Sequence, residues 1–249
     1  MHIKPYLQRI NYDGPLEPGI QTLSALQETH LLTVPFENLD ISLGREIKLD
    51  EAALYHKIVE RRRGGFCYEL NGLFASLLRT LGFKVTMLSA GVAHAEGGFG
   101  PEFDHLTLLV QLTDTWLVDV GFGESFHRPL LFEEAVEQVQ DERAYRLVRD
   151  GSYWTLEQRN ADHAWEAQYH FTLQPHQLSD YTSRCRYHQT SPESSFTQRR
   201  VCTRMTRQGR ITLSDMRLII TEQEQREERL LADEQEYRAA LREHFNISL

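Results

Sequence analysis

Three residues of this chain have the types and spacing of a nucleophile, a base and an orienting acid: Cys67, His105 38 positions later, and Asp119 14 positions beyond that. Cys67 stands in the run Arg62-Arg63-Gly64-Gly65-Phe66-Cys67-Tyr68-Glu69-Leu70-Asn71. Two glycines let the backbone turn sharply into a helix. A cysteine in the first turn of that helix meets unpaired N–H groups and the positive end of the dipole, which favour thiolate over thiol. Taken alone, the segment fits a small core residue beside aromatics equally well. His105 opens an apolar strand after a glycine-rich loop, where a satisfied or solvent-facing histidine is the commoner finding. Asp119 lies inside Trp116-Leu117-Val118-Asp119-Val120-Gly121-Phe122, a setting in which a charge is costly unless paired. An imidazole from the neighbouring strand is its natural partner, because the carboxylate fixes the tautomer and stabilises the imidazolium. Such a set performs acyl transfer through a covalent thioester.

The strands that carry the base and the acid constrain each other. A regular two-residue turn at Thr113-Asp114 sets Asp119 opposite Leu108, and His105 and Asp119 then point to opposite faces of the sheet. They share a face only if the connection has an odd number of residues or a bulge shifts the register by one. An irregularity of that kind, or a His105 lying just outside the regular ladder, is therefore expected.

The elements around them read in two styles. Ile20, Leu23, Leu26 and Leu31 give a helix over 20–32, closed by Pro35. Asp50 caps a second helix that runs through Leu54 and Ile58 and stops before Gly64. The stripe Leu70, Leu73, Phe74, Leu77, Leu78 and Leu81 gives a third over 66–81, with Gly82 as its C′ residue. Beyond Gly82, short apolar runs at 84–88, 105–112, 116–122, 145–148 and 153–158 read as antiparallel strands, with Thr113-Asp114 and Asp150-Gly151 as hairpin connections. Residues 93–103, with Gly97, Gly98, Gly100 and Pro101, read as a mobile loop. The polar stretch 174–195 reads as a crossing segment. After it come two strands, 199–206 and 210–221, joined at Gln208-Gly209, and a charged helix over 233–244 capped by Asp233.

Composition bounds the partners. A net charge of −9, from 36 acidic and 27 basic residues, argues against nucleic acid. Arg61-Arg62-Arg63 is the local exception and reads as a solvated helix end. The N-terminus has no signal-peptide pattern, and no run approaches the ~20 apolar residues of a membrane span. Three cysteines, Cys67, Cys185 and Cys202, suit free thiols of a cytoplasmic protein. The eleven histidines form no H-x-x-x-H pair on a helix, so no metal site is expected.

Taken together, Val34-Pro35-Phe36-Glu37-Asn38-Leu39-Asp40, the Arg63-to-Phe74 run, the His105 strand and the Val118-to-Gly123 run resemble the arylamine N-acetyltransferase family, in the family's order and at fitting distances. Ser191-to-Phe196, Gly209-to-Leu213 and the closing His244-Phe245-Asn246-Ile247-Ser248-Leu249 are similar to its tail, so nearly the whole chain is covered.

The resemblance implies an α+β protein with a cysteine-protease-like catalytic core in three parts. These are a helical bundle carrying the nucleophile (1–83), an antiparallel β-barrel-like domain carrying His and Asp (84–190), and an α/β lid (191–249). It implies Cys67 as acetyl acceptor, His105 as base and Asp119 as orienter. Acetyl-CoA is the co-substrate, and the acceptor is a small arylamine, hydrazine or N-hydroxyarylamine of the kind met in xenobiotic metabolism. Phe36, Tyr68, Phe103 and Phe122 are the aromatic candidates for the acceptor pocket, and each also fits simple core packing. Gly121, Gly123 and Ser125 are candidates to receive the coenzyme, because exposed backbone N–H groups bind phosphates. Arg63 and Glu37 resemble a bracing ion pair, and an acidic Asp104 beside the base is ill suited to a pyrophosphate. The chemistry fits, since attack of Cys67 on a thioester is nearly balanced and aromatic amines and hydrazines are neutral near pH 7. Three alternatives share these residues: an amide synthase of the same family, a Cys-His-Asp hydrolase, and a non-enzymatic protein whose Cys67 is oxidised.

Overall fold

The helical first third is set by its apolar spacing and its caps. In the computed structural model, residues 1–160, 164–223 and 225–249 are described, apart from the Asn160 side chain. Helices α1 (Ile3–Arg9) and α2 (Ile20–Thr33) lead to a two-residue strand β1 (Phe36–Glu37) and a short α3 (Leu39–Ser42). Helix α4 (Glu51–Tyr55) opens where Asp50 accepts a hydrogen bond from the Ala53 N–H at 2.9 Å. It does not continue as a regular α-helix to Gly64, as the sequence suggests. It widens into a π turn over His56–Glu60, and there Lys57 reaches inward to Asp40 and Glu69, both at 2.8 Å. Helix α5 (Cys67–Thr80) is buried at eleven of its 14 positions, so it is enclosed on nearly every side rather than amphipathic.

The eight-stranded sheet comprises β2 (Lys84–Val92), β3 (His105–Gln111), β4 (Thr115–Val118), β5 (Leu130–Leu131), β6 (Gln138–Gln140), β7 (Arg143–Asp150), β8 (Tyr153–Asn160) and β9 (Glu166–His176), all antiparallel, in the order β5-β4-β3-β2-β9-β8-β7-β6. It curls until its edges nearly meet. Gln138 then bonds the Leu131 backbone at 2.7 and 3.0 Å, and Gln140 bonds the His127 and Arg128 backbone, so two side-chain amides bridge the seam that no ladder closes. One face of β3 (Leu106, Leu108 and Val110) packs in a core with Leu70, Leu73 and Leu77 of α5, while Leu117, Leu147, Leu156, Tyr169 and Phe171 form a second core.

Several local expectations are corrected. The β3–β4 connection is three residues, Leu112-Thr113-Asp114, with Leu108 paired to Val118 and Gln111 to Thr115. This odd loop is the irregularity the shared face requires, since the register continued by one step sets Asp119 opposite Thr107. The run 116–122 is a strand only to Val118. Asp119 then folds its side chain onto its own turn, accepting the Gly121 N–H at 2.8 Å. In the second hairpin Asp150 pairs with Tyr153, so the turn is Gly151-Ser152. Loop 93–103 is tied down: Gly100 donates to Val92 at 2.7 Å, and Phe99 stacks on His170 at 3.9 Å. Strand β9 escapes notice in the sequence because only Tyr169 and Phe171 of its eleven residues are buried. The expected crossing segment holds the end of β9, a 3-10 turn (Leu178–Tyr181) and α6 (Thr182–Thr190). Tyr181 and Cys185 pack into the helical core.

After α7 (Ser195–Gln198), a second sheet forms from β10 (Val201–Thr206), β11 (Gly209–Ser214), β12 (Arg217–Glu222) and β13 (Gln225–Leu230), in the order β1-β10-β11-β12-β13. The expected single strand 210–221 is two, divided at Asp215, whose left-handed backbone (φ 47°) makes the turn without a glycine or proline to announce it. Its first member is β1 from the N-terminal part, with Phe36 opposite Thr203 and Glu37 opposite Cys202. Helix α8 (Glu234–Phe245), capped by Asp233, covers this sheet with Tyr237, Leu241 and Phe245. Among the described residues no helix is long and apolar enough to cross a membrane.

Candidate active site

The start of α5 is held by a buried chain of charges. Arg63 donates to Glu37 at 3.0 Å and to Asp40 at 3.1 Å. Lys57 bridges Asp40 to Glu69, and Glu69 in turn accepts the Phe66 N–H at 3.1 Å. The last bond caps α5 one residue before Cys67. Gly64 is required by close approach, since a Cβ there would fall 2.0 Å from the Pro35 carbonyl oxygen.

From that start, Cys67 and Asn71 project one helical turn apart onto the same corner of the sheet. Asn71 donates to the Leu106 carbonyl at 2.6 Å and to Asp119 Oδ1 at 2.8 Å, and accepts the Val120 N–H at 2.9 Å. The Cys67 thiol takes a backbone hydrogen bond from Leu106, the residue after His105. The Asp119 turn lies so close that a Cβ on Gly121 would come within 2.8 Å of the Cys67 Cα.

His105 and Asp119 face each other, with Nε2 to Oδ2 at 2.6 Å, and both are almost wholly buried. Asp119 accepts four donors: His105, Asn71, the Gly121 N–H and, at 3.1 Å, the Tyr169 hydroxyl. Burial works against its charge, but His105 and these hydrogen bonds outweigh it and hold the carboxyl below the usual carboxylate range. The rings of Phe122 and Tyr169 flank the imidazole at 5.1 and 5.0 Å.

The surroundings of the Cys67 thiol oppose the effect expected of the helix start. Burial pushes it well up, the Leu106 hydrogen bond offsets only part of this, and the Asp119 and Asp104 carboxylates add to the rise. A thiolate forms here only together with a cation beside it.

The four aromatic candidates separate into two groups. Phe36 lies beside Gly123, whose added Cβ would be 3.9 Å from its ring, while Phe122, the residue before Gly123, packs on His105 and Tyr169. Phe196, not anticipated, extends this wall at 6.2 Å from Phe36. Tyr68 is fully buried and donates to the Phe103 carbonyl at 2.6 Å, and Phe103 packs on His176 and Tyr181. These two shape the backbone before His105 from behind. Asp104 is occupied as well, paired with Arg184 at 2.6 Å and His188 at 3.2 Å.

Of the coenzyme candidates, the Gly121 N–H is already spent on Asp119. Gly123 turns with φ 87°, and its carbonyl accepts from Arg210 at 2.6 Å. Ser125 opens onto a groove of about 600 Å³ between the 124–145 region and the C-terminal sheet. The groove carries Arg143, Arg207, Arg210 and Arg226 against Glu124, Asp141 and Glu142, and none of the Cys67, His105 and Asp119 side chains lines it. Asn71 and Tyr169 are the site residues that sequence reasoning missed. The spacing of Asn71 four residues after Cys67 could have flagged it, whereas Tyr169 has no local signal.

A helical start carrying a buried cysteine, set against a barrel-like sheet whose β3 brings His105 to Asp119 just past β4, is the architecture of a class of acyltransferases. The model of one such family, described as N-acetyltransferase, matches residues 19–249. The pineal gland isozyme NAT-3 arylamine N-acetyltransferase of Gallus gallus is 36% identical over 276 residues, covering 100% of this chain and 95% of that protein. The solved arylamine N-acetyltransferase of Salmonella typhimurium superposes with a TM-score of 0.93 at 33% identity, covering 98% of this chain and 90% of the other. The Mycobacterium marinum enzyme, solved in complex with CoA, superposes at 0.91 with 31% identity, covering 99% and 93%. The chain belongs to the arylamine N-acetyltransferase family.

Proposed function

We propose that this chain moves an acetyl group from acetyl-CoA to an arylamine, hydrazine or N-hydroxyarylamine in two half-reactions, through a thioester on Cys67. The observation that carries the reading is the His105–Asp119 pair at 2.6 Å, saturated with donors and held by Asn71 from the nucleophile's own helix. His105 uses Nε2 for Asp119, which leaves Nδ1 to take the Cys67 proton. That transfer keeps the net charge of the site constant and sets an imidazolium against a carboxylate, so sulfur and ring ionise as a pair where the thiol alone would not.

In the first half-reaction the sulfur attacks the thioester carbonyl, the bond from carbonyl to coenzyme sulfur breaks, and His105 returns its proton to the departing thiolate. In the second, the amine attacks acetyl-Cys67, His105 accepts the amine's proton, and the C–S bond to Cys67 breaks. The ring passes that proton back to the sulfur. Phe36, Phe122 and Phe196 form the wall against which a planar acceptor stacks. The phosphates of the coenzyme lie along the arginine-bearing groove that begins at Ser125, and CoA is the ligand in the solved complex of the Mycobacterium marinum relative. All three cysteines are unpaired, which suits a cytoplasmic enzyme.

Intact-mass measurement tests the mechanism. Incubation with acetyl-CoA adds one acetyl group to the wild type and none to Cys67→Ser, and an aromatic amine or hydrazine then removes it. Undiminished turnover by a folded Cys67→Ser protein would overturn the reading.

A further inference from the structure

Away from the catalytic corner, α1, α2, the 62–63 segment, β10 and the end of α8 meet around two contiguous cavities of about 160 and 310 Å³, which share Asn11, Leu32, Thr33 and Arg204. The smaller is lined by Arg9, Arg62 and Arg204, and Arg207 lines the larger. Among the described residues no acidic residue lines either cavity, in a protein with nine more carboxylates than basic side chains.

The guanidinium groups of Arg9 and Arg204 are held in place by neutral partners. Arg9 is only 4% exposed, and it donates to the carbonyls of Ile58 and Thr33 at 2.9 Å each, of Arg63 at 3.2 Å and of Arg62 at 3.3 Å. Arg204 donates to the carbonyls of Leu32 and His244. Burial, with Arg62 and then Arg204 among the nearby charges, pulls Arg9 down to about 10. Mutually repelling cations gathered at a cavity with no counter-charge are costly unless an anion joins them. Nearby, Asn11 and Asn246 both occupy left-handed turns (φ 55°) at the rim, adding neutral amides.

We propose that this junction binds a small tetrahedral oxyanion, a phosphate or phosphomonoester, seated among Arg9, Arg62 and Arg204. Guanidiniums from three elements, with Arg9 offering the one N–H that its carbonyl partners leave, suit a dianion with several oxygens better than a halide or a single carboxylate. An anion here ties α2 and β10 to the segment that leads through Arg63 to Cys67. Two sources carry this chemistry, free phosphate and the 3′-phosphate of the coenzyme, because Arg207 lines both the adjoining 310 Å³ cavity and the 600 Å³ groove.

The test is thermal unfolding of the full chain against millimolar inorganic phosphate at constant ionic strength, for the wild type, Arg62→Gln and Arg62→Glu. The Arg62 side chain is exposed and only its carbonyl is used by Arg9, so both variants keep the surrounding contacts. A saturable rise in the midpoint is expected for the wild type, with affinity about tenfold weaker in Arg62→Gln. Arg62→Glu supplies an anion of its own, so it unfolds at a higher temperature than Arg62→Gln without phosphate and gains nothing from it. A rise without saturation and equal in all three proteins is the exclusion effect of a kosmotropic salt, and it overturns the site, as does no rise at all. The source is read from KM. If Arg62→Gln raises KM for acetyl-CoA but not for acetyl-dephospho-CoA, the site takes the coenzyme's 3′-phosphate. If KM is unchanged for both while the phosphate shift is lost, it takes free phosphate.

Discussion

Asn71 holds Asp119 Oδ1 at 2.8 Å from a position one helical turn beyond Cys67, so the helix that carries Cys67 also fixes the carboxylate of the opposite element. The same side chain grips the backbone on both sides, at Leu106 and Val120. Through one amide, the helix of Cys67 is thus bonded both to the residue after His105 and to Asp119 with its turn.

Asn71→Ala is expected to lower kcat by roughly ten- to hundredfold, because each lost hydrogen bond to the charged Asp119 is worth about 1.5–3 kcal/mol and the base loses its register. Single-turnover acetylation of Cys67 measured beside thermal unfolding separates the two effects. A variant that unfolds earlier but acetylates at the wild-type rate would show that Asn71 serves stability alone.

Arg63→Ala removes the cation from Glu37 and Asp40 in a site where Arg63 is 3% and Glu37 0% exposed. Breaking a buried pair costs about 3–5 kcal/mol, so denaturant unfolding should detect a loss of that order. Arg63→Lys should recover only part of it, because an ammonium cannot reproduce the forked contacts.

His30 is wholly buried between Tyr6 and Phe74 and is pulled down to about 3, by burial first and then by Arg9. Its folded value lies below the unfolded value of 6.5, so the unfolded chain binds more protons between them. Stability from this group is present above pH 6.5 and is lost as pH falls toward 3, with a limiting slope of about 1.4 kcal/mol per unit. In His30→Leu the denaturation midpoint should depend less steeply on pH across that window. An unchanged slope would place the acid sensitivity elsewhere.

Phe36→Ala and Phe122→Ala should raise KM for an aromatic amine by up to roughly tenfold, the worth of one lost ring contact. Phe36→Ala should leave the rate of Cys67 acetylation by acetyl-CoA near that of the wild type, since the rings packed on His105 are those of Phe122 and Tyr169. Equal loss in both half-reactions would count against an acceptor wall.

Legibility in the sequence followed the range of the interactions. The Gly64-Gly65 turn into α5, the Asp50 and Asp233 caps and the apolar stripe of α5 are local, and the chain text alone specifies them. Even the odd β3–β4 loop could be deduced, because two side chains that must share a face leave strand parity little choice. What escaped was decided by distant partners. Tyr169 reaches Asp119 only because β9 lies beside β2 in the sheet, and β1 joins a sheet built from residues more than 160 positions away. The thiol of Cys67 is set the same way: the helix start is written in sequence, but the burial and the carboxylates that outweigh it are assembled only when the barrel closes over α5. Short-range backbone and side-chain preferences determine which residues can do chemistry, and only tertiary packing sets the dielectric and the neighbouring charges under which they do it.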